Sequence, residues 1–163
     1  MTRAPRAGTL LSLALFFAAG SAAAQEFRGT TWLMSKDQVI ASESLRVVSE
    51  LSQKGHQQVV FKTYVDGLPV TITYILENNA LLSASYTFAR DTDRRAWVAM
   101  MQDLTEKNGP PAFEQENLAG WRLPKTEIAL AHLRDGTTYA AYWEKSYFAR
   151  INHLPQADST AKN

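Results

Sequence analysis

Alternation of apolar and polar side chains dominates the middle of the chain. Three runs, Val59 to Val65, Val70 to Leu76 and Leu81 to Phe88, carry the two-residue period of half-buried strands. Asp66-Gly67-Leu68-Pro69 separates the first two and Glu77-Asn78-Asn79 the last two, both rich in residues that form tight turns. The runs therefore predict an antiparallel meander. One face carries Val70, Ile72, Tyr74 and Leu76 together with Leu82, Ala84, Tyr86 and Phe88, and is the expected core side, along with Tyr64. The opposite face carries Thr71, Thr73, Ser83, Ser85 and Thr87, interrupted by Ile75 and Leu81, which makes a platform of short hydroxyl side chains.

On either side of this meander the period lengthens to that of a helix. Ser35-Lys36-Asp37-Gln38 is a capping-box pattern, in which the two side chains satisfy each other's backbone donors, and it predicts a short helix from about Lys36 to Ser42. Residues 44–57 show no dominant period. After the meander, Trp97, Met100, Met101 and Leu104 fall at offsets 0, 3, 4 and 7, the stripe of a helix packed on a core. Asp91 or Thr92 is placed to cap it, and Asn108-Gly109-Pro110-Pro111 is placed to end it. A second strand-rich block follows, with strands expected near Phe113 to Asn117, Trp121 to Leu123, Glu127 to Leu133, Thr137 to Trp143 and Tyr147 to Ile151. Asp135-Gly136 marks a hairpin between two of these. The expected fold is α+β: two short helices packed on one face of an antiparallel sheet, in the order helix, meander, helix, meander, as one domain over 25–152. Residues 153–163 are polar and aperiodic, and are expected to form a disordered tail.

The N-terminus has a different pattern. Arg3 and Arg6 precede an apolar run from Leu10 to Ala19, and Ala22-Ala23-Ala24 supplies the small residues that a signal peptidase recognises. Residues 1–24 are therefore expected to be a signal peptide cleaved near Ala24-Gln25, giving a periplasmic or secreted protein with no membrane anchor after cleavage. Removing Arg3 and Arg6 from the 17 basic residues leaves 15 against 16 acidic ones, a net charge of −1. That balance, with no basic block, argues against nucleic acid and anionic membranes as partners. The chain has no cysteine, so neither a disulfide nor a lipid-bearing thiol after the leader is available.

Phe27-Arg28-Gly29-Thr30-Thr31-Trp32-Leu33-Met34-Ser35, followed by Val39 and Glu43, resembles the RGxxWGMSxxxVxxxE opening of small exported proteobacterial proteins of uncharacterised function. Leu33 stands where that opening carries glycine. The resemblance continues through Ile72-Thr73-Tyr74-Ile75-Leu76, Ala84-Ser85-Tyr86-Thr87-Phe88 and the helix ending at Leu104 to Pro110. In element order the chain is also similar to the β-lactamase inhibitor protein fold and to the related outer-membrane assembly lipoprotein fold. The resemblance implies a noncatalytic envelope protein that binds another protein through its sheet.

The residues offer little to catalysis. His56, His132 and His153 are far apart and lack metal-ligand spacing, so neither a metal nor another cofactor is expected. No serine sits in a nucleophile motif, and the acidic pairs Glu114 with Glu116 and Asp91 with Asp93 have the spacing of solvated charges. These observations point away from an enzyme. The candidate binding surface is the hydroxyl platform of Thr71, Thr73, Ser83, Ser85 and Thr87, with Tyr139 and Tyr142 as aromatic anchors for an envelope protein of unknown identity. The alternative is a small amphipathic ligand held near Trp121 and Trp143.

Overall fold

Ser35 caps a helix as its sequence requires. Its hydroxyl accepts from the Gln38 N–H at 3.3 Å, and Gln38 Oε1 accepts from the Ser35 N–H at 2.9 Å. Helix α1 (Lys36–Ser42) follows, with Val39 completely buried. The computed structural model describes residues 26–152; the expected signal peptide and tail lie outside the described residues. After α1 come β1 (Val47–Gln53), β2 (His56–Val65), β3 (Leu68–Glu77) and β4 (Ala80–Phe88), then α2 (Arg95–Asn108). The second block is β5 (Phe113–Gln115), β6 (Leu118–Arg122), β7 (Thr126–His132), β8 (Thr138–Glu144) and α3 (Lys145–Asn152).

All eight strands join one antiparallel sheet in the order β1-β2-β3-β4-β8-β7-β6-β5. The fold is therefore α+β. Its two helix-plus-meander halves meet at their fourth strands, where β4 pairs with β8 from Ser83 opposite Trp143 to Phe88 opposite Thr138. Helices α1 and α2 share one face, where Val39, Trp97, Met100 and Leu104 pack with Phe61, Ile72, Tyr74, Ile128, Leu130 and Tyr142 in one apolar cluster. Helix α2 ends at Gly109, whose φ of 80° lies in the left-handed region open to glycine. Asp91 anchors the start of α2, accepting from the Ala96 and Asp93 N–H groups at 3.0 and 3.2 Å, although the capping position itself is Arg94.

Three differences from the sequence expectation have physical causes. Residues 47–53 form the edge strand β1, whose outer positions are solvated and so show little apolar period. A bulge at Ile75/Leu76 puts Leu81, and not Leu82, opposite Leu76, so Leu81 lies fully in the core. Tyr147 to Ile151, expected as a strand, belongs to α3: the Glu144 carboxylate accepts from the Tyr147 N–H at 2.8 Å and from the Ser146 hydroxyl, which starts a helical turn. There are thus three helices, not two, among the described residues.

Helix α3 lies on the other side of the sheet. Trp143 shares a face with Ser83, and the Phe148 ring packs on it with centroids 5.3 Å apart. Arg150 then reaches Glu77 at the end of β3.

Candidate functional site

The strand register fixes which side chains share the outer face. Lys62, Thr71, Thr87 and Tyr139 stand directly opposite one another across β2, β3, β4 and β8. At about 4.8 Å per strand this row is about 14 Å long. The next row holds Val60, Thr73, Ser85 and Ala141, and the one beyond holds Gln58, Ile75, Ser83 and Trp143. The platform of hydroxyl side chains thus exists as a continuous surface, with α3 over its Ser83 and Trp143 end.

Exposure divides this surface. Thr71, Thr73, Thr87 and Tyr139 are half-buried and reachable. Ser83 and Ser85 are buried, and the Ser83 hydroxyl donates to the Tyr142 carbonyl at 3.1 Å, so neither is a contact surface as it stands. The accessible part lies at the end away from α3. There Thr71 and Thr87 line a depression of about 440 Å³, with Lys62, Tyr64 and Pro69 among its walls. Tyr64, assigned to the core in the sequence reading, is 73% exposed. Its position follows from Val59 and Phe61, which are buried on the helix side and so turn residues 62 and 64 outward.

Two sequence expectations fail on the same parity argument. Tyr139 and Tyr142 are three residues apart in one strand and must face opposite ways. Tyr139 is on the outer face, whereas Tyr142 is buried on the helix side, 4.8 Å from the Phe27 ring. Trp121 and Trp143 likewise do not share a site. Trp121 is opposite Ile128, buried on the helix side, and donates its indole N–H to the Gly109 carbonyl at 2.9 Å; Trp143 is opposite Glu127 on the outer face beneath Phe148. The first is a stay for the end of α2.

His153 lies outside the described residues, and the two histidines among them are dispersed: His56 lies 3.6 Å from Glu77 at a hairpin, and His132 Nδ1 is 3.1 Å from the Thr138 hydroxyl within the sheet. Among the described residues no cluster of histidine and acidic side chains is placed to hold a metal ion. No described helix is long and apolar enough to cross a membrane. Compared with known proteins, the chain matches no family model, no curated protein and no solved structure.

Proposed function

We propose that the protein is a noncatalytic module of the cell envelope, periplasmic or secreted, that binds another protein through the open end of its outer sheet face. The observation that carries this reading is the Thr71 and Thr87 depression, with exposed Tyr64 beside it and half-buried Tyr139 next in the row. Tyrosines anchor protein interfaces because each contributes a large rigid ring and one hydroxyl at little entropic cost, and short threonines between them let a partner backbone approach closely. Helices α1 and α2 cover the other face, and α3 covers only the Ser83 and Trp143 end of this one, which leaves the Thr71 and Thr87 end open for a partner.

The test is insertion of charge and bulk on the floor. Thr71→Arg and Thr87→Arg are expected to keep the urea midpoint of the parent while weakening the isolated partner by at least about tenfold, because each fills the depression. Undiminished binding by both folded variants contradicts the reading.

A further inference from the structure

On the helix side of the sheet lies a second concavity, separate from the outer face. An open cleft of about 920 Å³ runs between the second half of α2, the segment 26–29 and the turn 123–125 leading into β7 at Thr126. Its floor is aromatic. Tyr86 and Tyr142 have ring centroids 6.3 Å apart, and Phe27 packs against both at 4.8 Å. Leu104 and Ile128 extend the apolar lining.

One cation of the cleft is held in a fixed orientation. Arg28 lines it with its side chain 26% exposed, and its Nε and Nη2 donate to the Glu43 carboxylate at 2.6 and 2.9 Å. A guanidinium has five N–H groups, so this pairing holds the plane fixed and leaves donors for another acceptor. Glu43 is itself held by the Tyr74 hydroxyl. The Tyr86 hydroxyl sits beside Arg28, and burial, the dominant effect, keeps that phenol protonated and a donor. Lys107 stands within electrostatic reach of Tyr86, joined to Asp103 at 2.7 Å. Across the lining, Arg28, Lys107 and Lys125 face Glu26 and Asp103, and Glu43 behind Arg28 brings the carboxylates to three, so it is the placement of the donors and not a surplus of charge that distinguishes the cleft.

We infer that this cleft binds an amphipathic monoanion, its apolar body lying on Tyr86, Tyr142, Leu104 and Ile128 and its anionic head received by the free donors of Arg28, the Tyr86 hydroxyl and Lys107. A volume of about 920 Å³ is within the range of sites for a ligand of this kind. The acid is favoured over a neutral amphiphile because a donor set oriented in advance rewards charge, and a charge-assisted hydrogen bond is about twice as strong as a neutral one.

The probe is dodecanoate, titrated calorimetrically into the protein below its micellar concentration, with dodecanol as the uncharged match. Saturable one-to-one binding of dodecanoate is expected, with dodecanol at least about tenfold weaker. Lys107→Gln, on the exposed surface of α2, and Tyr86→Phe are each expected to weaken dodecanoate about fivefold or more at an unchanged urea midpoint. Should Tyr86→Phe fold poorly, Lys107→Gln alone decides. Absence of saturable binding, equal binding of acid and alcohol, or parental affinity in the folded variants overturns the assignment.

Discussion

Arg28 and Glu43, fifteen residues apart, form a two-pronged ion pair in which the carboxylate is almost wholly withdrawn from water, at 3% side-chain exposure. These two residues bracket the segment from Arg28 to Glu43, whose other residues have structural tasks as well. Ser35 caps α1, Val39 is completely buried, and the Trp32 indole N–H donates to the Thr126 hydroxyl at 2.9 Å, tying the segment to the second half of the sheet. The segment leading into α1 is thus fastened to the fold at several points. Removing the cation leaves a buried carboxylate with only the Tyr74 hydroxyl, so Arg28→Met is expected to cost about 3 kcal/mol or more in urea unfolding. Adding Glu43→Gln is expected to recover part of that loss, since a neutral amide needs no counter-ion. A double variant no more stable than Arg28→Met contradicts this account.

Leu33 lies in the same segment, and its φ is 69°, in the left-handed region. Its side chain is 64% exposed, so little packing supports the choice, while its N–H is held by the Leu81 carbonyl at 2.9 Å. A left-handed residue other than glycine costs about 1–2 kcal/mol, and glycine returns about 0.4–1 kcal/mol through the freer unfolded chain. Leu33→Gly is therefore expected to stabilise by about 0.5–1 kcal/mol. A lower urea midpoint in the variant contradicts the argument.

Burial raises the Tyr142 phenol far above its ordinary value near 10, with the neighbouring Tyr86 and Asp103 acting in the same direction. The folded value thus exceeds the unfolded one. The corresponding stability is fully present below about pH 10 and is lost as pH rises further, because the unfolded phenol releases a proton that the native one keeps. Tyr74 and Tyr86 are raised too, chiefly by burial. The urea midpoint is expected to fall between about pH 9.5 and 11, and to fall less steeply in Tyr142→Phe. Parallel slopes in parent and variant refute a buried, protonated Tyr142.

Local chemistry made much of this fold legible. The capping box set α1 to its observed bounds, the stripe from Trp97 to Leu104 marked the buried side of α2, and alternation with the turns at 66–69 and 77–79 placed β2, β3 and β4 within three residues at every end. What stayed hidden depends on neighbours distant in sequence. The polar edge of β1 is a strand because β2 templates it, and Leu81 joins the core beside buried Leu82 because of a bulge against β3. Tyr147 and Phe148 favour strands intrinsically, yet Glu144 caps a helix and Trp143 offers Phe148 a surface. At the candidate site the hydroxyl row was readable from alternation alone. Tyr64 was readable too, since counting outward from Phe61 in steps of one residue gives its face; the burial of Ser83 and Ser85 was not, because it arises where β4 pairs with β8 and near α3.

The open end of the outer face is the central claim, and a cross-linking ring placed there tests it most directly. Tyr64 replaced by p-benzoylphenylalanine keeps an aromatic side chain at a position 73% exposed, and Val98 on α2, 60% exposed, provides the control on the other side of the sheet. On irradiation of producing cells, the account predicts a discrete adduct with a second polypeptide from position 64, suppressed by Thr87→Arg, and none from position 98. Adducts from position 98 alone, or adducts from position 64 that Thr87→Arg leaves unchanged, contradict it.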